Sequence, residues 1–285
     1  REEFPRSGLG ATVYKVAGKW DPFDWLALRG SYGTNYSTPP NDLEPGRISA
    51  GLDLIDGAGS KYLRTETETL AGIQPETAEV MNLGAIFNFD EGLWLDGALR
   101  FSLDYFDFKI KNEIKTVDHN QLLNTVFLAD SGKDELINCS APLIERITFL
   151  NGQGAAGCVQ GTTVGDDVTS IRSVYGNGPG AQTTGVDIDF SYSFDALGGE
   201  WSAGFSGTRV LSYEIDAFSL NGVQLAEAVD GLGFANYGNS ADVVSEWRTN
   251  TSLNYSSGNH NIRYVYRFIQ GVEDDLFSRR MLLRG

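Results

Sequence analysis

The chain has 285 residues, a formal net charge of −16, 41% hydrophobic and 12% aromatic residues, and 34 glycines. That is too apolar and too aromatic for a disordered chain, and the acidic balance argues against nucleic acid or an anionic membrane surface as partner. No run of about 18 apolar residues exists, so no transmembrane helix is available. The opening REEFPRSGLG has no initiator Met and no apolar signal core, so the chain is expected to be a piece of a longer protein.

Taken in order, the elements are long period-2 runs. Ala11–Trp20 places Thr12, Tyr14, Val16, Gly18 and Trp20 on one face against Lys15, Ala17 and Lys19. Trp25–Tyr36 sets Leu26, Leu28, Gly30, Tyr32 and Tyr36 against Ala27, Arg29, Ser31, Gly33 and Asn35. Such alternation predicts a strand with one apolar and one wet face. Thr77–Phe89, Trp94–Ile110, Thr183–Phe194, Trp201–Tyr213 (the weakest), Glu246–Tyr255 and His260–Ile269 follow. These strands are long against a usual five or six residues. Charges such as Arg29, Asp96, Arg100, Asp104, Asp187, Asp189, Arg263 and Arg267 recur on their polar faces, which must therefore be wet.

Short turns are predicted at Asp21–Asp24, Asp90–Leu93, Asp195–Glu200 and Ser256–Asn259. Long loops, about 37–76, 111–182 and 214–245, lie between them. Short turns on one rim and long loops on the other describe an antiparallel, up-and-down transmembrane β-barrel, with periplasmic turns and extracellular loops. Aromatics gather at the turns: Trp20, Phe23, Trp25, Phe89, Trp94, Phe194, Trp201 and Tyr255. In a barrel that end lies at the headgroup level, where an amphipathic ring is half in hydrocarbon and half in water, so these residues are expected to form a girdle. A soluble barrel with Trp-rich hairpin ends is the bland alternative, but it would carry its apolar face inside and its charges outside.

Cys139 and Cys158 lie in one polar, Gly-rich segment. They read either as a disulfide formed in an oxidising compartment or as two free buried thiols. The segment offers little core to hide thiols in, which favours the disulfide. It would trim the entropy of the longest loop by about 3 kcal/mol. His119 and His260 are the two histidines, and neither has a Gly-x-Ser-x-Gly context, so no enzyme is expected. Asp53, Asp56, Asp166 and Asp167 read as solvated loop acids without EF-hand spacing. No cofactor or metal is expected. A ligand would meet the long loops and the upper lumen, where Tyr36, Arg47, Tyr62, Tyr175 and Tyr237 are candidate contacts, tyrosine giving contact area at low entropic cost.

Four motifs, in order, are similar to those of one family. WDPFDWLALRGSYGTNYSTPPNDL, IQPETAEVMNLGAIFNF, LRFSLDYFDFKIKNEI and GAQTTGVDIDFSYSF, spanning about Trp20–Phe194, resemble strand segments of TonB-dependent receptors. The resemblance implies a 22-stranded outer-membrane barrel filled by an N-terminal plug, importing a siderophore, vitamin, carbohydrate or peptide. It implies as partners outer-membrane lipid, the plug, the TonB complex (through a TonB box) and the imported ligand, and as location the outer membrane of a Gram-negative bacterium. Residues 1–285 would supply about eight strands of the C-terminal half of that barrel, with plug and terminal strands absent. A passive porin-type channel or surface adhesin, and a secreted soluble β-protein that binds carbohydrate, remain as alternatives.

Overall fold

The computed structural model describes residues 2–3, 10–40, 44–90, 97–150, 154–236 and 241–274. Eight long strands make one meander: β1 (Lys15–Phe23), β2 (Leu26–Ser37), β3 (Glu76–Phe89), β4 (Gly97–Lys111), β5 (Ala181–Ala196), β6 (Gly199–Ile215), β7 (Trp247–Ser257) and β8 (His260–Ile269). Each pairs antiparallel with its neighbour in the chain, and the two-residue segment Val229–Asp230 joins at β6. The sheet is open, and β1 and β8 are its edges among the described residues. β6, the weakest run in the sequence, is the longest strand at 17 residues. The first turn is tighter than expected: Phe23 pairs with Leu26, and the extra residues after Trp20 form a bulge.

Register fixes the two faces, because directly opposed residues project to the same side. Leu28, Ala85, Leu103, Ile188 and Gly207 form one row, and Arg29, Gly84, Asp104, Asp187 and Thr208 form the next. The second row faces a concave groove of about 620 Å³ whose walls come from β1 through β7. The sheet therefore curls around its charged face and turns its apolar face outward. Leu83 (52% exposed) and Ile262 (70%) lie on that outer side.

At the loop end the pattern inverts. On β4 the outward row changes from Phe101, Leu103 and Tyr105 to Asp107, Lys109 and Lys111, while Phe106, Phe108 and Ile110 turn inward; no register shift intervenes. β3 does the same, with Met81 followed by Glu79 on the outside. From Phe89 to Glu79 is ten residue steps, about 33 Å along a strand. At a tilt of roughly 40° that becomes a band about 25 Å tall, the height of the apolar belt in outer-membrane barrels.

The long connections are not featureless. Ile48–Ile55, Lys61–Thr69, Ile114–Thr116, Ile147–Phe149 and Val168–Asn177 build a separate five-stranded sheet. Its central pairing is parallel, from Arg64 opposite Ser170 to Thr69 opposite Tyr175. A short helix, α1 (His119–Asn124), covers it, with the Gln121 N–H donating to the Asp118 Oδ1 cap at 2.9 Å. Ile55, Leu122, Leu123, Ile137, Ile147 and Ile171 are fully buried together, and Phe149 is 1% exposed. The expectation that this region offers little core is thus corrected: the main dry core of the chain is here, above the wall. Cys139 and Cys158 are joined by a disulfide with Cα atoms 5.6 Å apart, and Cys158 packs on that core.

Candidate functional site

The groove is organised around one cross-strand rung. Arg29 on β2 and Asp104 on β4 are separated by the whole of β3, yet they form a two-pronged ion pair: Nε to Oδ1 at 2.7 Å and Nη2 to Oδ2 at 2.6 Å. The residue between them is Gly84. A Cβ there would overlap the Asp104 carboxylate, coming to 2.7 Å from its Cγ and 3.2 Å from the Arg29 Cγ. The absent side chain is what lets the pair close. Asp187 stands directly opposite Asp104, and its Oδ1 accepts the Thr208 hydroxyl at 2.6 Å. Arg248 follows Thr208 along the rung. The groove thus mixes both signs, with Lys15, Arg29 and Arg248 facing Asp104, Asp187 and Asp189.

Aromatic rings mark both ends of the outer apolar band. At the short turns, Trp25 stacks with Phe23 (5.3 Å) and Phe89 (5.8 Å), and Trp201 lies between Phe194 (6.5 Å) and Tyr255 (4.6 Å). Tyr255 Oη donates to the Leu197 carbonyl and Trp201 Nε1 to that of Ala196, so each ring holds a turn carbonyl. Trp20 is 66% exposed. Trp94, named with this group, and Asp96 lie outside the described residues. A second aromatic row, not read from the sequence, sits at the opposite boundary. Tyr14 and Tyr32 lie 6.0 Å apart, Tyr32 Oη meets Glu79 Oε2 at 3.3 Å, and the Arg209 guanidinium lies over the Trp247 ring at 5.4 Å.

The candidate ligand contacts do not converge. Tyr36 is opposite Thr77 on the outer face, away from the groove. Arg47 and Tyr175 flank Thr69, whose N–H donates to the Arg47 carbonyl at 2.9 Å and which pairs with Tyr175 in the lobe. Tyr62 is 73% exposed beside Leu54 on the far side of the lobe sheet. Tyr237 lies outside the described residues.

Residues 2–276 match the family model described as TonB dependent receptor-like, beta-barrel. The chain belongs to the TonB-dependent receptor family. No curated protein matches it. Among solved structures it is similar to the hemophore receptor HasR of Serratia marcescens, a double mutant in complex with its hemophore HasA and heme: 16% identity, TM-score 0.51, covering 91% of this chain and 32% of that one. It is also similar to the siderophore receptor PirA of Acinetobacter baumannii (15% identity, TM-score 0.48, 95% and 31%). A third is a mutant of the ferric enterobactin receptor PfeA of Pseudomonas aeruginosa in complex with enterobactin (13%, 0.47, 90% and 27%). At 16% identity the likeness to HasR speaks for the fold alone. The chain spans about a third or less of the length of those receptors.

In this TonB-dependent receptor segment the remaining polar candidates serve the lobe. His119 Nδ1 lies 3.2 Å from Asp53 Oδ2 and Nε2 lies 3.2 Å from the Glu66 carbonyl, so both ring nitrogens are engaged inside the lobe. Asp53 also accepts the Thr65 hydroxyl, Asp56 accepts that of Ser60, and Asp167 accepts the Val164 N–H. Asp166 pairs with Lys61 at 3.0 Å, and that ammonium holds its carboxyl below the usual range. The family consists of transport receptors rather than enzymes.

Proposed function

We propose that this chain forms a sector of the wall and an extracellular lobe of an outer-membrane receptor of a Gram-negative bacterium, which imports a large nutrient driven by TonB. The single supporting observation is the joint arrangement of the two faces: an apolar band of membrane height outside, bounded by aromatics, and a charged groove inside. Lipid would contact the outer rows, with Trp20, Phe23, Trp25, Phe89, Phe194, Trp201 and Tyr255 at the periplasmic boundary. The receptor's own plug would occupy the concave side, where Arg29, Asp104, Asp187 and Arg248 present both charge signs. The nutrient class is a siderophore, vitamin, carbohydrate or peptide.

The test is uptake by cells carrying the full-length gene, with and without a working TonB, across labelled iron chelates, cobalamin, oligosaccharides and peptides. Accumulation of one class that needs both the gene and TonB supports the reading. Accumulation indifferent to TonB would point to a porin-type channel. A full-length protein that stays soluble without detergent and binds sugar would point to a secreted carbohydrate-binding protein.

A further inference from the structure

Above the membrane-height band, the inward turn of Phe106, Phe108 and Ile110 has a second consequence. With Ala181, Tyr213 and Ile215 from β5 and β6, they line a separate cavity of about 600 Å³, within the usual range for small-molecule sites. Phe106 and Phe108 are stacked with centroids 5.2 Å apart. Gly185 makes room for them, since a Cβ there would come to 2.8 Å from the Phe106 Cε1. The surface is thus a flat aromatic wall, unlike the charged groove below it.

The rim is acidic. Glu113 and Lys115 neutralise each other at 2.6 Å, which leaves Asp242 as the remaining charge on the rim among the described residues. Its N–H donates to the Tyr213 hydroxyl at 3.2 Å, tying the backbone at Asp242 to the wall. Asn236 links Asp242 back to Gly231, its Nδ2 donating to the carbonyls of Gly231 (2.8 Å) and Asp242 (2.9 Å). A concave, weakly polar site focuses the field of that carboxylate.

We infer that this cavity is a binding subsite for a molecule that offers an aromatic or aliphatic face and carries no charge or a positive one. The inference rests on the receptor reading above and narrows its substrate class, setting polyanionic iron chelates aside.

The experiment uses the full-length receptor in lipid nanodiscs, with empty nanodiscs as blank, titrated with thioflavin T (a planar cation) and with anilinonaphthalene sulfonate (an anion of similar size). Thioflavin T is expected to saturate at one per receptor and to bind at least about tenfold more tightly than the anion. Phe108→Ala, at a half-exposed position, should weaken it about tenfold. Asp242→Lys should reduce the preference between the dyes. No saturable binding, equal affinity for both dyes, or an unaltered Phe108→Ala titration would each overturn the inference. TonB-dependent uptake is read separately on the same variants. Uptake that persists in a receptor without dye binding leaves the transport reading standing and removes the subsite. Dye binding with TonB-independent uptake does the reverse.

Discussion

Replacing Gly84 by alanine tests how the luminal rung is built. Arg29 and Asp104 sit on strands two apart, about 9.6 Å in the pairing direction, and meet only across a residue with no side chain. Buried, a two-pronged pair of this kind would contribute about 1.5–3 kcal/mol. Here the Arg29 side chain is 51% and the Asp104 side chain 17% exposed, so water screening leaves about 1 kcal/mol. Alanine is more favourable than glycine in a strand by about 0.5–1 kcal/mol. The single variant therefore nets close to zero, and the information lies in a double-mutant cycle. Asp104→Asn should cost about 1 kcal/mol with Gly84 present, a roughly fivefold faster unfolding rate. In the Gly84→Ala background it should cost nothing, or relieve the repulsion from Asp187 directly opposite. The assay is the unfolding rate of the full-length receptor in lipid at fixed temperature. Equal costs in both backgrounds would refute the bridging role of the glycine.

Phe149→Ala should remove about 3–5 kcal/mol from the lobe core while β3–β6 keep their amide protection; a uniform loss across lobe and wall in hydrogen exchange would show that the two are one cooperative unit. Converting both Cys139 and Cys158 to serine should destabilise the lobe by about 3 kcal/mol, read as faster exchange at Ile147 and Ile171, and unchanged exchange would assign the stabilisation to packing alone. The Lys61–Asp166 pair sets a pH dependence of known sign. The folded-state carboxyl is lowered, so the pair's contribution is complete above the unfolded carboxylate value of about 3.9 and disappears as pH falls through the lower folded value. The protection of Gly165–Val168, taken relative to intrinsic exchange at each pH, should stay flat down to about pH 4 and fall below it; the same step in Lys61→Met would sink this assignment.

The wall was legible because its signal is local. Strand residues alternate every second position, and an outer row such as Leu83, Ala85, Phe87 and Phe89 needs only its own neighbours in sequence to be recognised. The inversion at the loop end was also written locally, in DYFDFKIK, where apolar residues move from odd to even positions after Tyr105. Reading that run as one unbroken alternation missed the aromatic wall of the upper cavity. The lobe was not legible for a different reason. Its central strands pair residues about a hundred positions apart, and its core draws Ile55, Leu122, Ile147 and Ile171 from segments that each look like polar loop. Gly84 carries no signature of its own, and its role emerges only once register sets it between Arg29 and Asp104.

The parallel pairing of Lys61–Thr69 with Val168–Asn177 has a mechanical consequence. Parallel strands need a crossover, and here the crossover contains the β3–β4 hairpin itself. With the lobe strands paired, both open ends of that hairpin lie at the same end of the wall. The disulfide, spanning 19 positions within one connection, makes no such link. The parallel pair therefore ties the lobe to the hairpin that its own crossover contains, so that neither can be displaced without straining the other.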